Sequence, residues 1–144
     1  MSKERYMQQA IADALAGSPL WPAGAAVIVA RPGNLATAIL EAVGKTGLCA
    51  VVGEPDNIEG MISEPTFVQS SDWTVAVFTQ EFANQTDIDN LAAVALVRQI
   101  LSNTNPGNHW ATPFMECRIK FSGQQEGIVA RDVTFTAAYQ GTFQ

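Results

Sequence analysis

The sequence predicts an α+β fold: a mixed, largely antiparallel sheet of about five strands with three helices packed on it and a C-terminal β-hairpin. Three observations predict it. Three segments repeat apolar residues at the spacing of one helical face, short apolar runs bounded by Gly and Pro stand between them, and the C-terminal stretch alternates as paired strands do. A chain of 144 residues suits one domain, residues 1–144. That length can bury roughly two-thirds of its unfolded surface without metal or disulfide help.

The first helix rests on Met7, Ala10, Ile11, Ala14 and Leu15, which share one face. Lys3 and Arg5 ahead of Ala14-Leu15-Ala16 mimic a signal peptide, but Gln8, Gln9 and Asp13 interrupt the hydrophobic stretch one would need. After the Pro19 and Pro22 turn region, Ala25 to Ala30 is a continuous apolar run between Gly24 and Pro32 and reads as an inner strand. Asn34 is placed to cap a second helix with the stripe Leu35, Ala38, Ile39, Ala42 and Val43, stopped by Gly44 with Gly47. Leu48 to Val52 is apolar on both faces, completing a strand-helix-strand unit that permits parallel or mixed pairing.

The Pro- and Gly-punctuated stretch Gly53 to Pro65 reads as an exposed loop, and Phe67 to Phe82 as extended chain in which Trp73, Val75 and Val77 alternate with Thr74, Ala76 and Phe78. Thr86 and Asp89 have capping-box spacing and predict a well-buried third helix through about Ser102. Beyond Asn105-Pro106-Gly107, two strands, Phe114 to Phe121 and Ile128 to Tyr139, are joined by a turn around Ser122 to Gly127. In the last strand Val133, Phe135, Ala137 and Tyr139 face one way.

Charge is segregated along the chain. Residues 46–97 hold eight carboxylates (Glu54, Asp56, Glu59, Glu64, Asp72, Glu81, Asp87, Asp89) and no Lys, Arg or His, while eight bases face six acids elsewhere, giving a net charge of −6. An anionic surface repels nucleic acid, and the few scattered bases (Arg31, Lys45, Arg98, Arg118, Lys120, Arg131) make no binding track. Arg118, Lys120 and Arg131 on the hairpin form at most a small patch that neutralises Glu116, Glu126 and Asp132. Charged residues are 15% of the chain against roughly 25% in an average soluble domain, which suggests surface set aside for other subunits. Cys49 and Cys117 lie in apolar strand-like runs and read as two reduced core thiols.

Several motifs mimic chemistry. Gly44-Lys45-Thr46 resembles the end of a phosphate-binding loop, but Ile39 stands where its first glycine belongs and the trio ends a helix instead of starting one. Glu54, Asp56 and Glu59 do not keep an EF-hand register, in which Pro65 would be the final ligand. The only histidine, His109, sits beside Trp110 in a Pro/Gly-flanked loop and reads as structural or interfacial. Ser70 or Ser71 with Asp72 and His109 matches no nucleophile-elbow pattern, and Asp87 and Asp89 fall at a helix start, where carboxylates complement the dipole. These residues predict no catalytic group, no cofactor and no metal. Trp73 reads as core, whereas Trp21 and Trp110, in turn-rich segments, read as hydrophobic lids or interface anchors.

With its elements in order, the chain resembles the tail terminator and tail completion (neck) proteins of long-tailed bacteriophages, lambda-type. The resemblance rests on organisation: the N-terminal helix before Ala25 to Arg31, the helix Leu35 to Gly44, Leu48-Cys49-Ala50-Val51-Val52, the extended Phe67 to Gln80, and Thr86-Asp87-Ile88-Asp89 leading to the helix before the hairpin. It implies a non-enzymatic virion structural protein, assembled in the bacterial host cytoplasm as a homo-oligomeric, hexameric ring. Such a ring caps the tail tube, stops its polymerisation and offers a head-tail joining surface to the head-completion protein, while DNA passes without specific binding and no membrane is involved. Another phage minor tail or head-completion protein, or a small non-catalytic binding module, is the alternative. Glu54, Asp56, Glu59, Glu64, Trp21 and Trp110 are the candidate interface or lumen residues.

Overall fold

The fifteen-residue run from Thr66 to Gln80 has the length and alternation of a long strand, and it forms the spine of the sheet. A computed structural model describes residues 2–31, 33, 35–63, 66–81 and 86–142, the side chains of 57–69, 117 and 140–142 excepted. The elements run α1 (Lys3–Ala16), β1 (Ala26–Val29), α2 (Leu35–Thr46), β2 (Leu48–Val52), β3 (Asp56–Ser63), β4 (Thr66–Gln80), α3 (Asn90–Leu101), β5 (Met115–Gln125) and β6 (Ile128–Thr142). The sheet has six strands in the order β1-β2-β4-β6-β5, with β3 also paired to β4. Among the described residues only β1 and β2 run parallel, and every other pair is antiparallel. The α+β class with its mixed sheet, three helices and C-terminal hairpin is therefore as expected, with one more strand.

That strand is β3. The stretch read as a loop pairs with the first half of β4, from Asp56 opposite Asp72 to Ser63 opposite Thr66. A strand bonded on one side only needs no continuous apolar pattern, so it tolerates the carboxylates and glycine that disguised it. β2 occupies the same side of β4 farther along, from Leu48 opposite Thr79 to Val52 opposite Val75, while β6 pairs with all fifteen residues of the other side.

β1 is likewise corrected from an inner strand to an edge strand. Its run is apolar throughout because both faces are covered: Val27 and Val29 pack against the larger core with α1, and Ala26 and Ile28 against the smaller one with α2. The larger core lies between the sheet and α1 and α3, where Met7, Ile11, Leu15, Val94, Val97 and Leu101 meet Trp73, Val75, Val77, Val133 and Phe135. On the opposite face α2 sets Ala42 and Val43 against Cys49. Beyond α2 that face turns polar, with the Thr74 and Thr134 hydroxyls 3.1 Å apart and Thr136 Oγ1 donating to Asp72 at 2.7 Å.

Boundaries shift for local reasons. Asp89, not Thr86, caps α3, its carboxylate accepting from Ala92 N at 2.8 Å, while Thr86 Oγ1 accepts from Ile88 N at 3.2 Å in a turn where Asp87 is left-handed. Gly44 lies inside α2, and Gly47, at φ +80°, ends it; the cap expected at Asn34 lies outside the described residues. The hairpin turn is only Glu126-Gly127, both with positive φ (52° and 80°), as a two-residue type I′ turn requires. β5 runs on past Phe121 because a bulge at Phe121/Gly123 absorbs the irregularity that reads as a turn in the sequence. α3, expected to be well buried, buries one face and leaves Leu91 61% exposed.

Gln8, which breaks the apolar stretch of α1, is one of the most enclosed side chains in the protein. Its Nε2 donates to Ala30 O at 3.0 Å and Val52 O at 2.8 Å, and its Oε1 accepts from Arg5 Nη1 at 3.3 Å, tying α1 to the ends of β1 and β2. Removing it takes one of two donors from each carbonyl, since Arg5 Nη1 still reaches Ala30 O at 3.3 Å and Ala30 N still donates to Val52 O at 2.9 Å, and it empties a packed site. Gln8→Ala is expected to cost about 2–3 kcal/mol, and Gln8→Leu to recover little of it. Urea unfolding measures both, and a loss below about 0.5 kcal/mol would show that α1 docks through its apolar stripe alone.

Candidate functional site

Among the described residues no group of three His, Cys, Asp or Glu side chains is placed to hold a metal ion. The serine, histidine and aspartate weighed above do not converge. Ser71 and Asp72 are neighbours on β4 and so point to opposite faces of the sheet. Asp72 is engaged by Thr136, while His109 lines a cleft of about 480 Å³ on the α1 side with Tyr6, Ala10, Asp13 and Gly107. Gly107, at φ +66°, is held close to His109: a Cβ there would lie 2.7 Å from the imidazole Cδ2. Lys45 is in the last turn of α2, the end that repels anions.

The acidic window is less uncompensated in space than in sequence. Glu54 forms an ion pair with Arg5 at 2.6 Å, Asp89 caps α3, and Asp72 takes the Thr136 hydroxyl. A base forty-nine positions away reaches Glu54 because Gln8 seats α1 across the ends of β1 and β2. Glu54 and Asp56 are exposed at the β2–β3 junction, with Glu54, Arg5, Gln8, Ser2, Glu4 and Pro55 lining a cleft of about 300 Å³. Glu59 belongs to β3 but its side chain lies outside the described residues, as does Glu64 altogether.

Trp21 and Trp110 are spent on the subunit's own interior. They are 5% and 4% exposed, which leaves little of either ring at the surface of the subunit. Trp21 Nε1 donates to Ala25 O at 3.0 Å across its turn. Asn105 brackets the loop before Trp110, accepting from Trp110 N at 3.0 Å and donating to Trp110 O at 2.6 Å. The ring then meets Trp73 edge-on at 5.4 Å and Phe114 at 4.6 Å, an aromatic cluster continued by Phe135.

The small basic patch on the hairpin follows the expected neutralisation at Lys120 and Asp132, whereas Glu116 and Arg131 have other partners. Glu116 pairs with Arg98 of α3 at 2.7 Å, and Arg131 donates to Asn90 Oδ1 at 2.8 Å with its guanidinium over the Phe121 ring. Lys120 faces Asp132 in register; burial raises the Asp132 carboxyl and Lys120 offsets part of the rise. What sequence reasoning missed is apolar. Among the described residues Tyr6, Leu20, Leu40, Leu91, Met115, Ile119 and Phe121 are large exposed hydrophobics, and three of these seven lie on β5. The signal was present as Met, Ile and Phe within the strand, but nothing local separates an apolar side chain facing the core from one facing solvent.

The chain is similar to a chain of the solved structure titled "Virion of native gene transfer agent (GTA) particle", with a TM-score of 0.66, 18% identity, and coverage of 94% of this chain and 95% of that one. The two share one fold. No protein-family model matches the sequence, and the comparison with curated proteins found no match. No helix among the described residues is long and apolar enough to cross a membrane.

Two buried titratable groups set expectations for solution behaviour. Burial pushes the Cys49 thiol up to about 12. Burial, and then the Glu4 carboxylate that accepts the Tyr139 hydroxyl at 3.2 Å, push the Tyr139 phenol from 10.0 to about 12. The folded state therefore holds the phenolic proton more tightly than the unfolded chain, so this contribution is full below pH 10 and is lost as pH rises to about 12. Tyr139→Phe is expected to cost about 1 kcal/mol at neutral pH through the lost hydrogen bond and to flatten the alkaline decline. Chemical unfolding from pH 7 upward tests this; curves that stay parallel would dismiss the Tyr139 contribution.

Proposed function

We propose that this chain is a virion structural protein of the tail terminator kind, acting by assembly and not by catalysis. The single observation behind this reading is the fold shared across 94% of the chain with a chain of a virion particle. On this reading the subunit closes into a hexameric ring on the end of a finished tail tube. The ring stops tube growth and presents its far side to a head-completion protein. The particle is the protein's working location, reached after assembly in the host cytoplasm.

A closed ring needs heterologous contacts, in which two different surfaces of the subunit meet. The sheet supplies different ends: β1 and β3 on one side, β5 on the other. DNA crossing such a ring moves freely only where its phosphates find no cationic wall, because each Lys or Arg contact adds a salt-dependent grip. Part of the acidic window is accordingly assigned to the lumen, Glu54 and Asp56 being its exposed described members among the candidates. Glu54 keeps access to solvent at the rim even with Arg5 beside it, its side chain being 55% exposed.

Light scattering on the purified protein at micromolar concentration is expected to give about 92 kDa, six subunits of 15.4 kDa, with or without tail-tube protein as a template. Negative-stain images of that species should show a central hole, and acid residues of the 46–97 window should line it. A stable 15.4-kDa monomer that also ignores tube and capsid components would end this reading. A ring lined by Lys and Arg would end the lumen assignment alone.

A further inference from the structure

We propose that β5, together with the apolar surface beside it, is the face through which one copy of this chain docks onto an acidic surface of the next copy. The inference rests on the ring reading above and names the surface that would close the ring.

Among the described residues β5 is bonded to β6 on one side only, with an open sheet edge along Met115–Gln125. Natural edges of that length are blunted with lysines and bulges, and this one has both: Lys120, and irregularities at Glu116/Arg118 and Phe121/Gly123. Its apolar side chains run the other way. Phe121 is 53% exposed and Ile119 36%, while Met115, 67% exposed and opposite Thr136, lies on the other face. Ile119 and Phe121 pair with Val133 and Arg131, so they lie on the face that carries α3. Phe121 sits under the Arg131 guanidinium, which is itself anchored to Asn90 at the start of α3, and the next residue of that helix is the exposed Leu91. An apolar surface of this kind, rimmed by Arg98, Arg131 and Glu116, has the composition of an interface and not of a solvated hairpin.

Charge selects the occupant. Arg118 and Lys120 are exposed on the opposite face of the same strand, since they pair with Thr134 and Asp132. They make a basic strip on a chain of net charge −6 whose carboxylates crowd residues 46–97. Another copy of the chain therefore offers a complementary surface. The same strip argues against a twofold contact of β5 with β5, which would set Arg118 and Lys120 of both subunits against each other. Head-to-tail docking, with β5 as donor and carboxylates outside the lumen as acceptor, satisfies both the apolar and the charged side chains. The bulges divide β5 into short regular stretches, the longest Arg118–Phe121, so side chains contribute more to the contact than a continued ladder.

The test uses the full chain, with Ile119→Lys/Phe121→Glu and, separately, Arg118→Glu/Lys120→Glu, in light scattering with circular dichroism to establish folding. Both variants are expected to keep the wild-type spectrum and to associate at least about tenfold more weakly. Mixed with wild type, each should also cap growing assemblies at substoichiometric amounts, because its acceptor surface is intact. Hydrogen exchange of unaltered protein gives a readout free of mutation: amides of residues 115–125 should exchange more slowly in the assembled species than in the diluted one. Variants that form rings of wild-type mass, or a segment 115–125 with the same exchange in both species, would overturn the docking face and leave the ring standing. A wild-type protein that stays monomeric beside tube protein would overturn the ring itself, and a wild-type twofold dimer would overturn the head-to-tail geometry.

Discussion

Strand β4 is the constraint on which the rest of the molecule depends. It is bonded along its whole length to β6 and, on its other side, to β3 and then β2. Alternation does the rest: Trp73, Val75 and Val77 must all enter the core with α1 and α3 once any one of them does, and Thr74, Ala76 and Phe78 must turn to the other face. A slip of one residue would exchange the two sets and put tryptophan where threonine now bonds threonine. The register is thus held from both faces, by packing on one and by the Thr74–Thr134 and Asp72–Thr136 hydrogen bonds on the other.

The N-terminal helix is placed by the carbonyls at the end of the sheet that have room for a second donor. β1 and β2 run parallel and end together, so the carbonyls of Ala30 and Val52 lie within reach of one amide. Gln8 supplies it, and the helix carrying Gln8 brings Arg5 to Glu54 and Glu4 to Tyr139. A polar residue in an apolar stripe thereby organises the end of the sheet, a role that hydrophobic periodicity cannot reveal because periodicity scores it as an interruption.

Much of the fold was legible in the residues. The helical stripes, the β2 run, the alternation of β4 and the terminal hairpin each express a local period, and local period is what a sequence displays directly. β3 and the edge position of β1 were not legible, because strand order depends on partners distant in the chain: Asp56 becomes strand only when Asp72 lies opposite it. The candidate site was less legible. Carboxylates could be counted, but Arg5 beside Glu54, the cap at Asp89 and the burial of Trp21 and Trp110 depend on tertiary proximity. The exposed apolar residues of β5 escaped for the converse reason, since nothing local distinguishes a hydrophobic side chain facing the core from one left over for another molecule.

All three tryptophans are sequestered, Trp73 and Trp110 in mutual edge contact and Trp21 bonded to its own turn. Their indoles therefore sense the interior of one subunit and are shielded from whatever arrives at its surface. Intrinsic emission from this protein is a gauge of native structure that stays blind to partners, which makes it possible to separate loss of conformation from loss of company in a single cuvette.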